Sequence, residues 1–252
     1  MNRVVQPELL DQLSPADPRA VRSRRDLRRV NAWMGHHAIM AFALQECLQG
    51  QAPRQITELG AGDGNFLLRV AQKIPLRPVS AWSAATGTRV ALLDLHDIVS
   101  AETLEAFLDA GCRAETVVAD VFNWPPMDND IVVANLFLHH FKTNRLTELL
   151  RLISHRTNIF IALEPRRAGW SLFCSRLLWA IGCNEITRHD AVVSVRAGFS
   201  GCELSALWPD QENWQLSEQS VGPFSQLFIA RKREPGSRPP ENPIDRLFSA
   251  LH

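Results

Sequence analysis

Several features that would assign the chain to a specialised class of protein are missing from its sequence. No uninterrupted apolar run reaches the roughly 18 residues of a membrane span. Residues 1–7 contain no apolar core of a secretory signal. The five cysteines include no C-x-x-C pair, as expected for reduced thiols rather than for disulfides. We therefore expect a soluble, cytoplasmic protein.

A net charge is missing as well. The 252 residues carry 27 basic and 27 acidic side chains, so the chain as a whole has no excess charge that would attract nucleic acid. Its hydrophobic fraction of 46% and its charged fraction of 21% are those of an ordinary globular protein. A chain of this length can form one large α/β domain with extensions.

Seven short apolar segments have the character of β-strands. Amphipathic helical patterns separate the first five, which is typical of parallel strands covered on both faces. Only Gly222-Pro223 separates the last two, and so short a connection requires an antiparallel pair. The sequence thus predicts an α/β fold with a doubly wound, mostly parallel seven-stranded sheet and an antiparallel C-terminal hairpin. The segments are residues 56–59, 90–93, 116–119, 131–134, 158–163, 214–221 and 224–231.

The two ends of the chain differ from this alternating region. Asp17-Pro18 is typical of a helix start, and apolar residues recur at helical spacing beyond it, so we predict an N-terminal helical lid over residues 1–50. Its first helix carries six arginines between residues 19 and 29, which either face solvent or meet an anionic substrate. Residues 51–233 form the predicted main domain. Residues 234–252 are rich in proline and charge and are predicted to be a mobile tail.

A glycine loop is the most informative part of the sequence. The segment Glu58-Leu59-Gly60-Ala61-Gly62-Asp63-Gly64-Asn65 lies between a predicted strand and a predicted helix. Glycines at alternate positions let the backbone turn sharply and approach a ligand closely. A nicotinamide-dinucleotide fingerprint would need its third glycine at position 65, where the chain has asparagine. The segment therefore predicts a ligand-binding loop of another kind.

Acidic residues follow the next two predicted strands. Asp94 and Asp120 come at the carboxyl ends of the second and third strands, at the sheet edge where open α/β proteins bind ligands. Asp94 is placed to accept hydrogen bonds from both ribose hydroxyls of a nucleoside. Asp120 could accept one from an adenine amino group, with Val121 or Phe122 against the ring. The two positions together predict a nucleoside-binding site.

These motifs resemble those of the Rossmann-like methyltransferases that use S-adenosylmethionine. The C-terminal hairpin is similar to the antiparallel seventh strand of that fold, and the resemblance spans residues 17–233. Residues 26–35, 136–141 and 189–199 resemble a bacterial branch that methylates small molecules. The segments similar to the first four motifs of the family are residues 56–64, 92–95, 118–122 and 130–141.

The resemblance implies S-adenosylmethionine as cofactor and S-adenosylhomocysteine as product. It implies a transferase of secondary metabolism, whose small hydrophobic acceptor is aromatic or polyketide- or quinone-like and is methylated on oxygen or carbon. Two departures are an apparent insertion at residues 75–89 and Glu164-Pro165-Arg166-Arg167, where relatives more often have Asn-Asp-Leu. The implied cofactor-binding residues are Glu58, Gly60, Ala61, Gly62, Gly64, Asp94, Leu95, Asp120, Val121 and Asn135.

Several side chains are candidates for the general base that a hydroxyl acceptor needs. His139 and His140 follow the fourth strand, where they could equally pack and cap a helix start. His189 beside Asp190 has the pattern of an imidazole oriented by a carboxylate. Glu164 follows the fifth strand as a further candidate. The candidate substrate contacts are Glu164, Trp33 and Arg196, the last for an anionic oxygen.

Other functions stay open at this point. Asn135 among neutral neighbours is a poor start for a Mg²⁺ site, so no metal is expected. The neutral charge disfavours nucleic acid, although the arginine-rich helix leaves methylation of RNA or protein as an alternative. A member of the fold that binds the cofactor without turnover is another. The apolar helix around residues 170–181 is predicted to cover the pocket, and a homodimer through the lid helices is left open.

Overall fold

The strands form one seven-stranded sheet in the computed structural model, which describes residues 1–74, 87–124 and 129–233. The strands are β1 (Gln55–Leu59), β2 (Thr88–Asp94), β3 (Cys112–Val118), β4 (Asn129–Asn135), β5 (Thr157–Pro165), β6 (Trp214–Val221) and β7 (Ser225–Lys232). Their order is β3-β2-β1-β4-β5-β7-β6. The first five are parallel, and β7 is antiparallel to both of its neighbours. The predicted sheet, including its C-terminal hairpin, is confirmed.

The register of the central strands brings their carboxyl ends together. Leu59, the last residue of β1, pairs with Leu93 of β2 on one side and with Ala134 of β4 on the other. The glycine loop therefore lies directly between Asp94 and Asn135. This edge is where the strand order reverses, since β1 has β2 on one side and β4 on the other, and such a point is the usual ligand site of an open α/β sheet.

Eight α-helices accompany the sheet within the described residues. The prediction of a helix start at Asp17-Pro18 is confirmed, because the Asp17 side chain accepts a hydrogen bond from the backbone N–H of Arg19 and Pro18 is the first helical residue. The helices are α1 (Pro18–Trp33), α2 (His36–Leu48), α3 (Asn65–Ala71), α4 (Ala101–Asp109), α5 (Thr143–Ser154), α6 (Gly169–Ser175), α7 (Glu185–Ala197) and α8 (Glu203–Leu207).

The core consists of two apolar layers, one on each face of the sheet. Successive residues of β4 alternate between them: Val133 packs with α2, α3 and α4, whereas Val132 packs with α5 and α8. The inner face of α5 is completely buried, which follows from apolar side chains at helical spacing. The strands are therefore apolar on both faces, as the sequence pattern predicted.

The apolar helix that was expected to cover the pocket differs from its prediction, and two other predicted segments fall wholly or mostly outside the described residues. The apolar helix predicted around residues 170–181 is interrupted: α6 ends at Ser175, and a 3₁₀ helix spans Leu178–Ile181. The predicted tail at residues 234–252 and most of the predicted insertion at residues 75–89 lie outside the described residues. Among the described helices, none has the length and apolar character needed to cross a bilayer.

Candidate functional site

The three glycines of the loop after β1 all have left-handed backbone conformations, with φ of +68° at Gly60, +56° at Gly62 and +72° at Gly64. A Cβ atom at Gly60 would lie 2.3 Å from Cδ2 of Phe137, so a side chain there would collide with the loop after β4. At Gly62 no atom lies within 4 Å of such a Cβ position. The loop thus packs against the protein at Gly60 and faces open space at Gly62.

Asp94 lies beside this open space and holds the loop. One carboxylate oxygen accepts a hydrogen bond of 2.8 Å from the backbone N–H of Gly62, and the other accepts one of 3.0 Å from the N–H of His96. The predicted neighbourhood of Asp94 and the glycine loop is therefore present. Its ribose contact remains a prediction.

Glu58 is buried beneath the loop with one carboxyl oxygen, Oε2, lacking a hydrogen-bond partner among the described residues. Burial, together with the nearby carboxylates of Asp63 and Asp94, raises the pKa of Glu58 well above its ordinary value. A cationic group bound at the loop would favour the ionised carboxylate. The acid is thus placed where a positively charged ligand would change its protonation.

The residues after β2 and β3 form the neighbouring rim. Leu95 is 64% exposed, Val121 is buried, and Asp120 is exposed. The Asp120 carboxylate accepts a hydrogen bond of 2.9 Å from the backbone N–H of Phe122 and so holds its own turn. A bond of 3.0 Å from Ala119 N–H to the Asp94 carbonyl joins this rim to the end of β2. The structure therefore brings the predicted nucleoside-binding positions to one edge.

Asn135 belongs to a buried polar network that the sequence had not revealed. Nδ1 of His36 lies 2.9 Å from Oδ1 of Asn135, and Nε2 lies 2.7 Å from the Ser225 hydroxyl. The Asn135 amide in turn donates to Asn31 at 3.3 Å. Burial lowers the pKa of His36 to about 4. This neutral imidazole therefore ties α1 and α2 to the ends of β4 and β7.

Glu164 has a different environment from the one expected. Its side chain is fully buried, and its oxygens accept hydrogen bonds from the backbone N–H groups of Phe137 and Leu138, at 2.9 and 2.8 Å, and from His139. This carboxylate therefore holds the loop after β4, and no part of it reaches a surface that a substrate could contact. Its expected role as a substrate contact or a base, which such burial disfavours, stays a prediction.

His139 is buried between two carboxylates. Nδ1 lies 2.8 Å from Glu164 and Nε2 lies 3.2 Å from Glu8. Burial by itself would lower the pKa of His139, but the hydrogen bonds to these carboxylates outweigh that effect and raise it. A base that is enclosed and paired on both ring nitrogens is poorly placed to take a proton from a substrate.

His140 is adjacent and partly exposed. Nδ1 donates to the Phe137 carbonyl at 2.9 Å, and Nε2 lies 3.4 Å from Glu8 and 3.6 Å from Asp11. Burial lowers the pKa of His140, but the two carboxylates outweigh it and raise the pKa to about 10. The alternative interpretation of this histidine pair, as packing and capping groups, agrees with these contacts.

His189 and Asp190 form the predicted hydrogen bond, 3.0 Å from Nδ1 to the carboxylate. The imidazole is half exposed, whereas Asp190 is buried. Asp190 also accepts hydrogen bonds of 2.8 and 2.9 Å from the backbone N–H groups of Leu9 and Leu10. It therefore anchors the N-terminal segment as well as orienting His189, a second role that the sequence did not indicate.

The remaining predicted substrate contacts are exposed. Arg196 carries an exposed side chain on α7. Trp33, at the end of α1, is 64% exposed and its ring centroid lies 5.2 Å from that of Phe224. Exposed apolar side chains also occupy α6 and the 3₁₀ helix that follows it. They are Trp170, Phe173, Leu177, Trp179 and Ile181.

Helix α1, the first helix of the predicted lid, forms an ion pair with the glycine loop. Arg28 of α1 lies 2.5 Å from the Asp63 carboxylate, between Gly62 and Gly64. On its other side α1 is held by Asp26, whose buried carboxylate accepts a hydrogen bond of 2.8 Å from Asn184 N–H at the start of α7. At least one arginine of the lid is therefore paired within the chain.

A cleft of about 930 Å³ opens at the opposite, amino-terminal edge of the sheet. Polar and charged residues such as Arg54, Asp130 and Asn158 line much of it. None of the predicted site residues borders this cleft. The side chains that the sequence suggested for binding and catalysis therefore lie away from this cleft.

The residues that the sequence missed are Glu8, His36 and Ser225. Each acts through a partner about 90 or more residues away in the chain: Glu8 with His139, and His36 with Asn135 and Ser225. The sequence could have indicated His36 only by its position, because it directly follows the segment 26–35 that resembles the bacterial methyltransferases.

No family model matches the chain. A curated relative is trans-aconitate 2-methyltransferase from Mycolicibacterium gilvum (strain PYR-GCK), which is 30% identical over 105 residues. The match covers 41% of this chain and 34% of the relative, so the chain matches about a third of that protein's length.

Solved structures match over most of the chain. Plantazolicin methyltransferase BpumL in complex with SAH has a TM-score of 0.60 at 13% identity, covering 89% of this chain and 94% of that one. Mitomycin 7-O-methyltransferase MmcR has a TM-score of 0.58 at 18% identity, covering 89% of this chain and 60% of that one. At such identities the likeness establishes the fold, and the chain accordingly has the α/β methyltransferase fold.

Proposed function

We propose that the protein transfers a methyl group from S-adenosylmethionine to a small hydrophobic acceptor, aromatic or polyketide- or quinone-like, at an oxygen or carbon atom. The observation that carries this proposal is the open glycine loop at Gly62, which lies beside the Asp94 carboxylate at the carboxyl edge of the sheet. The matched plantazolicin and mitomycin enzymes are named for natural products, which agrees with a small acceptor.

The residues of this edge fit an adenosyl cofactor. Open space at Gly62 leaves room for the backbone to approach a bound group. Asp94 would accept hydrogen bonds from the ribose, while Asp120 and Val121 would border the adenine. The buried Glu58 supplies negative charge below the loop, and S-adenosylmethionine carries both a sulfonium and an ammonium. Asn135, at the end of β4, is the last of the cofactor-binding residues that the family resemblance implies.

In methyl transfer the cofactor supplies an activated methyl group on a sulfonium, and the C–S bond breaks as the acceptor atom bonds to the methyl carbon. The protein's task is to align the acceptor, because orientation alone contributes several kcal/mol to such a step. A hydroxyl acceptor must also lose a proton. Among the candidate bases we favour His189, because it is half exposed and its Nδ1 is hydrogen-bonded to Asp190.

The surroundings of the site favour an apolar acceptor. Exposed aromatic side chains at Trp33, Trp170 and Phe173 belong to the lid and to α6, elements that border the carboxyl edge. Arg28 is paired with Asp63, and Arg29 contacts Asp26 and the Ile181 carbonyl. These contacts leave less of the arginine-rich face for an RNA or protein acceptor.

We extend the proposal to the domain organisation of the chain and to its location in the cell. Residues 1–50 act as a lid on the main domain at residues 51–233, and the enzyme works in the cytoplasm. The ion pair between Arg28 and Asp63 supports the lid.

Calorimetric titration with S-adenosylmethionine, S-adenosylhomocysteine and NAD⁺ tests the cofactor. We expect binding of both adenosyl ligands and none of NAD⁺. Gly62→Arg should abolish binding by filling the open space, whereas Gly50→Arg, at another open glycine with φ of +82°, should not affect it. Asp94→Ala should weaken binding by about 1.5–3 kcal/mol, and Asp97→Ala, an exposed neighbour, should leave it unchanged.

A labelled-methyl assay with a panel of phenols, hydroxyquinones and RNA tests the acceptor class. Transfer to a phenol or quinone is the expected result. Transfer to RNA alone would overturn the small-molecule assignment. Cofactor binding without transfer to any acceptor would favour a non-catalytic member of the fold, and failure of both adenosyl ligands with folded protein would refute the proposal altogether.

A further inference from the structure

We propose that Glu8, His139 and His140 bind a divalent transition metal of the zinc class, which fastens the N-terminal segment to the loop after β4. The three side chains come from two distant parts of the chain, and their ligand atoms all lie within 4.8 Å of one another. This site is separate from the glycine loop, and the inference does not depend on the proposed methyl transfer.

The spacing of the side chains suits tetrahedral coordination. Nε2 of His139 lies 3.2 Å from one Glu8 oxygen, and Nε2 of His140 lies 3.4 Å from the other. Asp11 lies 3.6 Å from the same His140 nitrogen, and water would complete the coordination of a metal held by three side chains. Zinc bonds of 2.0–2.2 Å in a tetrahedron place ligand atoms about 3.3–3.6 Å apart. The 3.4 Å separation between His140 and Glu8 lies in this range, and the 3.2 Å separation between His139 and Glu8 lies just below it.

The outer nitrogens of both imidazoles are already held in the way that metal-binding histidines require. Nδ1 of His139 is bonded to the buried Glu164 carboxylate at 2.8 Å, and Nδ1 of His140 donates to the Phe137 carbonyl at 2.9 Å. Such partners fix the tautomer and leave Nε2 available as the ligand. The Ser194 hydroxyl also donates to Glu8. The side chains therefore carry the supporting hydrogen bonds of a metal centre.

The local charge also favours a cation. Three carboxylates, those of Glu8, Asp11 and Glu164, contact the two imidazoles. With neutral imidazoles the group carries a charge of about −3, which burial makes unfavourable. Either a bound divalent metal or protons on the imidazoles can reduce this charge. The experiment below decides between these two states.

A metal here would cross-link residues that are far apart in sequence. Glu8 and His139 are 131 residues apart, and the segment before α1 is otherwise held by Arg3, which donates to the Ala197 and Phe141 carbonyls, and by Asp190. A metal that joins two such distant residues in the folded state stabilises the protein against unfolding. The site is therefore expected to be structural.

The test is the metal content of the full-length protein. After purification without chelating resins and gel filtration, elemental analysis should give one zinc per chain, and a Co²⁺-substituted sample should show the absorption of a tetrahedral site. Glu8→Gln and His140→Gln should lose stoichiometric zinc, whereas His155→Gln, at an exposed histidine elsewhere, should retain it. Circular dichroism confirms that each variant is folded.

Thermal unfolding gives a second measurement that does not depend on isolation conditions. Removal of metal with EDTA should lower the Tm of the wild type, and added ZnCl₂ should restore it, with neither effect in Glu8→Gln. No zinc at equilibrium together with an unchanged Tm would overturn the proposal and leave a protonated imidazole–carboxylate network. The same result would follow if Glu8→Gln and wild type bound zinc equally.

Discussion

At the scale of single residues, Glu58 is a buried acid whose carboxyl group is incompletely hydrogen-bonded within the described residues. Its pKa is raised by burial and by Asp63 and Asp94, and Oε2 has no hydrogen-bond partner among the described residues. In the absence of a cationic ligand this acid binds a proton in the folded chain that the unfolded chain releases. Stability must then fall as the pH rises above the ordinary glutamate pKa of 4.5, until the raised pKa is passed.

Glu58→Gln should remove this pH dependence, because glutamine has the same shape and no charge. We expect the Tm of the ligand-free variant to exceed that of wild type by an amount that grows from pH 5 to pH 8, measured by differential scanning fluorimetry. The variant should bind S-adenosylmethionine more weakly. A constant difference in Tm across this range would show that Glu58 does not titrate as inferred.

His36 is the centre of the buried network with Asn135 and Ser225. His36→Ala should lower the free energy of unfolding by about 2–5 kcal/mol, because it leaves a cavity and unpaired polar atoms. His37→Ala, at the half-buried neighbour, should cost much less. Denaturant unfolding at pH 7 measures both, and equal losses would contradict the importance of the network.

The lowered pKa of His36 predicts that the stability of the protein depends on pH. Because it is lowered from 6.5 to about 4, the unfolded chain gains a proton in this range that the folded protein does not. Wild-type stability should therefore fall as the pH decreases from 6.5 towards 4. This part of the acid sensitivity should be absent in His36→Ala.

The proximity of the glycine loop and Asp94 could be predicted because the signal was local. A strand, a turn and an acid at a strand end lie in short segments of the sequence. Glu8 and His36 were missed because their partners are distant in the chain. The hydrogen bonds of Glu164 to the loop after β4 were not foreseen, because its depth in the fold is encoded by no local pattern.

At the scale of elements, α1 lies between α7 and the glycine loop. The Arg28–Asp63 pair joins α1 to that loop, and both side chains are partly exposed, at 45% and 23%. Exposed pairs contribute at most about 1 kcal/mol. This ion pair by itself therefore contributes little to holding α1 against the glycine loop.

Arg28→Ala should therefore weaken cofactor binding by no more than about fivefold, mainly through faster dissociation. Arg22→Ala, an exposed arginine on the same helix, is the matched control and should have no effect. Stopped-flow displacement of bound S-adenosylhomocysteine gives the dissociation rates. A loss of hundredfold or more would mean that Arg28 contacts the ligand directly.

Element positions were predicted well because the periods of apolar residues differ between strands and helices. All seven strands and the start of α1 agree with the sequence. The predicted apolar helix around residues 170–181 was interrupted, and its aromatic side chains are exposed. Apolar residues are buried only on average. Whether a cluster of them is exposed depends on how the helices and strands pack together.

At the scale of the whole molecule, ligand binding should stabilise the folded chain. S-adenosylhomocysteine at a hundred times its Kd contributes about 2.7 kcal/mol, which corresponds to a Tm increase of about 5–11 °C for a chain of this size. NAD⁺ at the same concentration should give no shift. A stabilisation by NAD⁺ alone would indicate a dinucleotide site instead.

The sequence by itself determined the class of fold and the position of the glycine loop at the carboxyl edge of the sheet. Alternation of strand and helix, a short turn before the last strand and a glycine loop after the first are local properties, and parallel strands necessarily bring their carboxyl ends to one edge. From these the sheet and the expected adenosyl site followed without coordinates.

Only the tertiary structure decided which polar groups pair in the interior. It joined Glu8 to the His139–His140 pair, His36 to Asn135, and Asp190 to the backbone of Leu9 and Leu10. Such pairings depend on distances between segments that packing sets, and burial then fixes their protonation. The physical reason is that hydrophobic periodicity specifies the elements, whereas the partner of a buried polar atom is specified only when those elements meet.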